Sequence, residues 1–169
     1  MMASASKGNE VGGGANITVD VAAYERNLSA TLAVLKTWDA DLARELNAEM
    51  KAAMQEVADT ARARFPSASG EGRGGFKVKK SKAKIGYTAL SVTKAGVILE
   101  FAGKLSPGGL KPRGASLIRN LNDRYGSPGR FLWSTWDELG AYEMQRVEDK
   151  ANELMDEYTA RMMARGKVA

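Results

Sequence analysis

The chain contains no cysteine and no histidine. Without cysteine it can form no disulfide, thiolate zinc site, iron–sulfur cluster or thiol nucleophile. Without histidine it lacks the commonest general base and the commonest transition-metal ligand. Carboxylates, lysines and hydroxyls remain, but neither a carboxylate pair for hydrolysis nor a Ser–Lys dyad stands in a recognisable motif. The glycines at 72, 74 and 75 lack the Gly-Lys-Ser/Thr ending and the preceding strand of a phosphate-cradling loop. No catalytic residue, metal ligand or cofactor is expected, and the chain reads as non-enzymatic. Long apolar runs are missing too: nothing approaches the ~18 consecutive apolar residues of a membrane span, and the N-terminus lacks the apolar core of a signal peptide. A soluble protein made in a cytoplasm, with no membrane partner, is the expectation.

What is present suits one domain. A chain of 169 residues with 44% apolar and 27% charged residues is long enough to bury roughly 70% of its unfolded surface. The net charge of +5 is unevenly spread. Arg73, Lys77, Lys79, Lys80, Lys82 and Lys84 follow one another with no acid between them, whereas the stretch from Asp137 to Arg161 is dominated by acids, among them Glu148, Asp149, Glu153, Asp156 and Glu157. One part of the chain is therefore able to attract the other, within a subunit or between neighbours.

Residues 1–16 are small, polar and glycine-rich and read as a flexible N-terminal arm. From Asp20 the apolar period turns helical: Val21, Tyr24, Leu28, Leu32 and Leu35 share one face. Leu42, Leu46, Met50, Ala53, Val57 and Ala61 continue the spacing to Phe65, where Pro66 stops it. Asp39 or Asp41 is placed to cap this second helix, with a break over Thr37–Ala40. Both helices have polar backs and are amphipathic. After a glycine/serine loop, Phe76–Ala83 begins with strand-like alternation, and Ile85, Tyr87 and Ala89 alternate again. Lys94-Ala95-Gly96 reads as a hairpin turn and Val97–Phe101 as a central return strand. The region from Gly103 to Gly129 is punctuated by glycine and proline around a short helical stripe, Leu117, Ile118, Leu121 and Tyr125, whose polar residues include Arg113, Arg119 and Arg124. Thr135-Trp136-Asp137-Glu138 has the pattern of a capping box opening the last helix. The expected fold is α+β: an antiparallel sheet of about three strands flanked by long amphipathic N- and C-terminal helices. It forms a single domain over residues 17–166, with a loop insertion at 103–130 and a tail at 167–169.

Three segments carry a family resemblance. Val97-Ile98-Leu99-Glu100-Phe101-Ala102-Gly103 is similar to a hydrophobic strand ending in Glu-Phe-Gly. Pro128-Gly129-Arg130-Phe131-Leu132, leading into Ser134-Thr135-Trp136, resembles a Pro-x-x-Phe-Leu segment before a C-terminal helix. Ala58–Pro66 resembles an alanine-rich helix ending at proline. Together they resemble the small head–tail connector and tail-completion (neck) proteins of long-tailed bacteriophages. The chain departs from that pattern where Gly70 is followed by Glu71-Gly72 and where Ala102 precedes Gly103; the Leu117–Tyr125 helix reads as an insertion.

The resemblance implies a virion protein assembled in the host cytoplasm. It would form a homo-oligomeric ring, of six copies, that continues the DNA channel between capsid connector and tail tube. Its partners would be neighbouring connector or stopper proteins and tail-tube or terminator proteins; the station within the neck stays open. The runner-up is a basic nucleic-acid-binding protein.

The candidate residues carry alternatives. The basic segment is a solvated edge guard, a dock for the acidic face of an adjacent subunit, or a phosphate grip on DNA in the channel. Glu100 either faces solvent by strand alternation or, as the family's glutamate suggests, pairs with an arginine such as Arg130. Phe101, Phe131 and Leu132 belong to the family-like segments. Trp133 and Trp136 are packed as core, or one of them anchors an interface.

Overall fold

A computed structural model of the chain describes residues 10–13, 17–65, 76–81, 86–91, 94–102 and 112–166. Strands β1 (Glu10–Gly13) and β2 (Ile17–Asp20) form an antiparallel hairpin with Val11 opposite Val19. Helix α1 (Val21–Trp38) follows directly, then α2 (Ala40–Arg64). Strands β3 (Phe76–Lys80) and β4 (Tyr87–Ser91) form a second antiparallel hairpin with Val78 opposite Ala89. Three helices complete the chain: α3 (Lys94–Phe101), α4 (Pro112–Tyr125) and α5 (Leu132–Ala164).

The helical periods place the core where the apolar stripes predict it. Leu28, Leu32 and Leu35 of α1 bury against Leu42, Leu46, Met50 and Ala53 of α2 and against Val147, Ala151 and Leu154 of α5. The break between α1 and α2 is a single residue: Asp39 is extended, and its side chain accepts from the Leu42 amide at 3.2 Å. A second core gathers aromatic rings where α2 ends. Phe65 meets Phe76 edge-on at 5.3 Å and Phe131 at 4.4 Å between centroids, and Tyr125 meets Phe131 at 5.7 Å. Ala58, Ala61, Val78, Ala89 and Leu99 close around these rings.

The α+β class holds, with four corrections in the elements. Val97–Phe101 is not a strand, and Lys94–Gly96 is not a hairpin turn; both lie in α3. The buried positions explain this. Gly96, Leu99 and Glu100 face inward while Val97 and Ile98 are exposed, which is the i, i+3, i+4 spacing of a helix rather than strand alternation. Consequently the described strands form two two-stranded sheets, not one of about three. Residues 10–13, expected within a flexible arm, form β1; residues 1–9 and 14–16 lie outside the described residues. Finally, α5 begins at Leu132, before the expected capping box. Thr135 sits inside its first turn, fully buried, with a hydroxyl that has no hydrogen-bond partner.

Candidate assembly site

Two of the three segments that carry the resemblance, distant in sequence, lock together. Glu100, at the end of α3, is fully buried. Its carboxylate accepts from the backbone amides of Phe131 (3.0 Å), Leu132 (3.1 Å) and Trp133 (3.3 Å). These are amides that an α-helix leaves without internal partners at its start, and the helix dipole favours a negative charge there. The next amides are satisfied as well, Ser134 by the Gly129 carbonyl and Thr135 by the Phe131 carbonyl. Glu100, brought from α3, is thus the cap of α5.

Arg130 completes the lock from the other side. Its guanidinium donates to the carbonyls of Leu99 and Ala102 at 2.9 Å, to that of Gly126 at 2.8 Å and to the Asn122 side chain at 2.6 Å. It thereby serves the carbonyl ends of α3 and α4 together. Gly126 and Gly129 bend the chain between α4 and α5 with positive φ of 81° and 94°, a region that L side chains rarely adopt. Burial pushes the Arg130 pKa down, and the charge of nearby Glu100 opposes that shift. Both readings that the sequence left open for Glu100 are corrected: it is buried rather than facing solvent, and no ion pair joins it to Arg130 among the described residues. The charges are neighbours, but Glu100 spends its hydrogen bonds on backbone amides and Arg130 most of its own on backbone carbonyls, because both sit where helix ends expose unpaired groups.

Around this lock lie large apolar side chains in contact with solvent: Val97 and Ile98 on α3, Leu117 on α4 and Trp133 on α5. Trp133 is 52% exposed, which removes it from the core. Trp136 is half-buried against Ala141 and Met144, and its ring covers Gly140 so closely that a Cβ there would come within 2.8 Å. Phe101 is half-buried, whereas Phe131 is buried and Leu132 packs beside it.

The charged candidates divide. Lys77, Lys79 and Lys80 are exposed on β3, and they take part in none of the ion pairs among the described residues. Arg73, Lys82 and Lys84 lie outside the described residues, as does the side chain of Arg113. Arg119 and Arg124 are exposed on α4, with Arg124 over the Tyr125 ring at 5.4 Å. On α5, Glu153 pairs with Lys150 at 2.9 Å and Glu157 with Arg161 at 2.5 Å. Glu148 is half-buried and, second to burial itself, raises the pKa of Tyr24. Asp149 and Asp156 are exposed and form no ion pair among the described residues.

Sequence reasoning missed the link between α2 and α5. Arg146 reaches Glu49 (2.6 Å), Glu56 (3.1 Å) and the buried Glu143 (2.9 Å), while Lys150 reaches Glu45 (2.7 Å) and Arg161 reaches Asp39 (2.7 Å). The available signal was weak: acids and bases on separate helices do not announce their partners. Beside Glu143 a cavity of about 430 Å³ opens between α1, α2, β4 and α5, lined by Tyr24, Met50, Met54, Tyr87 and Trp136 among others. Its wall is mostly apolar.

No family model, curated protein or solved structure matches the chain. Among the described residues no cluster of acids is arranged to hold a metal ion, and no helix is long and apolar enough to cross a membrane.

Proposed function

We propose that the chain is a structural, non-enzymatic subunit of a ring at the head–tail junction of a tailed bacteriophage, where it continues the DNA channel between capsid connector and tail tube. The observation that carries this reading is the lock between Glu100 and the amides of Phe131–Trp133. It joins two of the three segments in which the chain resembles neck proteins. A buried carboxylate that ties α3 to the start of α5 holds Val97, Ile98 and Trp133 outward on a rigid base, and exposed large apolar groups of this kind suit subunit contacts. Ring closure requires two different faces on each copy.

Symmetry-resolved imaging of purified particles tests the proposal. Density for a ring of this chain between portal and tail tube is expected. A chain that is monomeric both in solution and in particles, or absent from particles, overturns it. The exposed lysines of β3 favour one second reading, sequence-independent binding to nucleic acid. A salt-dependent gel shift that charge reversal of these lysines abolishes would support that reading instead.

A further inference from the structure

We infer that copies of this chain join head to tail through two specific faces: the outward face of the β3–β4 hairpin on one copy and the outer stripe of α5 on the next. The inference rests on the ring reading and names its contact.

The hairpin face follows from register. Lys77 stands opposite Leu90 and Lys79 opposite Thr88, and directly opposed residues in an antiparallel pair share a face. The other face, Phe76, Val78 and Ala89, is packed into the aromatic core. The outward face therefore presents Lys77, Lys79 and Thr88 beside the solvent-exposed Leu90, while Lys80 is exposed at the strand's end on the other side of the alternation.

The stripe on α5 follows from helical period. Tyr142, Asp149, Asp156 and Met163 recur at seven-residue steps, which return to nearly the same side of a helix. All four are exposed, opposite the buried Val147, Ala151 and Leu154. Asp149 and Asp156 are left out of the α2–α5 ion pairs that occupy their neighbours, and Tyr142 and Met163 flank them as exposed apolar groups.

The two faces match in charge and composition. Among the described residues, the cations of the first face meet no acid and the acids of the second meet no cation. Lys77 and Lys79, which share the outward face, stand about 6.6 Å apart at strand rise, and Asp149 and Asp156 about 10.5 Å apart at helix rise, a difference that the long lysine side chains can bridge. Each adds apolar surface, Leu90 on one side and Tyr142 and Met163 on the other, and aromatic residues and methionine are enriched at interfaces. Among the described residues no ion pair joins these lysines to Asp149 or Asp156 within one molecule. A contact between two different faces of identical copies propagates in one direction, which is what a closed ring needs.

Charge exchange in the full chain tests this by sedimentation at low salt. Lys77→Glu/Lys79→Glu/Lys80→Glu and, separately, Asp149→Lys/Asp156→Lys should each assemble about tenfold more weakly than the native chain. The chain carrying both sets should recover assembly, since attraction is restored with reversed sign. The milder Lys77→Gln/Lys79→Gln/Lys80→Gln covers the event that reversal disturbs folding, and it should weaken assembly in the same direction while the thermal midpoint stays unchanged. Native assembly that neither set weakens overturns the inference and leaves the ring standing. A native chain that is monomeric at every concentration and in particles overturns the ring and this contact together. Loss of DNA binding with unchanged assembly assigns the lysines to phosphate and overturns the contact alone.

Discussion

Glu100 is a carboxylate removed from water and met by the backbone amides of Phe131, Leu132 and Trp133. Hydrogen bonds to an ionised group contribute more than neutral ones, and a charge at a helix N-terminus adds to them. Glu100→Gln keeps the shape but removes the charge and turns an NH2 donor toward backbone donors. We expect a loss of about 2–4 kcal/mol in unfolding free energy, read as a lower denaturant midpoint with an unchanged slope. An unchanged midpoint would show that shape alone holds α5 in place. Gly140 sets two residue-scale effects against each other. Gly140→Ala gains about 1 kcal/mol of helix propensity, but the new Cβ would approach the Trp136 ring to 2.8 Å. Displacing a packed ring costs about 1–3 kcal/mol, so the substitution should be neutral to destabilising and should shift tryptophan emission. A stabilised variant with unaltered emission would mean that the ring moves aside freely.

At the scale of elements, α1, α2 and α4 were legible because their apolar residues recur with helical spacing over several turns, and that signal survives without knowledge of tertiary contacts. The β3–β4 hairpin was legible in part, from the alternation of Phe76 with Val78 and of Tyr87 with Ala89. Helix α3 was not. A short run such as Val97-Ile98-Leu99 suits a buried strand as well as a helix, and only the inward placement of Gly96, Leu99 and Glu100 decides. The start of α5 was misread for a related reason. Thr135 matches a local capping pattern, but the actual cap comes from Glu100 in another element, and no local window contains it. The site was half-legible: Glu100 and Arg130 were singled out as neighbours, while the backbone groups that hold them were invisible.

The pair α2–α5 also sets a pH dependence with two signs. Burial raises the Glu143 pKa, and Glu56 and Glu49 add to this against the pull of Arg146. A carboxylate with a raised folded pKa is protonated more readily when folded, so its ionisation weakens the fold as pH rises through that pKa. Glu143→Gln should therefore be more stable than the native chain at neutral pH, with the gap closing on acidification. A variant less stable at neutral pH would show that the Arg146 pair outweighs burial. Asp39 and Glu138 act oppositely. The Leu42 amide chiefly holds Asp39 below its ordinary pKa, with Arg161 assisting, and Arg64 holds Glu138 down. Their contributions are present above the ordinary carboxylate range and fade as pH falls through the lowered values.

For the whole molecule, folding and assembly draw on different forces, and salt separates them. The monomer is held by buried leucines and aromatic rings, whose burial depends on apolar area rather than charge. The proposed contact between copies lies at the surface, between the lysines of β3 and the aspartates of α5, where a Debye length of about 10 Å at 0.1 M salt shortens to about 3 Å at 1 M. Raising salt across that range should move assembly to higher protein concentration while leaving the unfolding midpoint of the unassembled chain nearly fixed. The net charge of +5 sharpens the comparison. Overall repulsion between like-charged copies is itself relieved by salt, so a contact without specific opposite charges would strengthen under the same conditions. Sedimentation across a salt series therefore distinguishes the two forces by the direction of the change. Weakening with salt, lost in Lys77→Gln/Lys79→Gln/Lys80→Gln, assigns assembly to the lysine face; strengthening with salt assigns it to the apolar groups around Trp133, Val97 and Ile98.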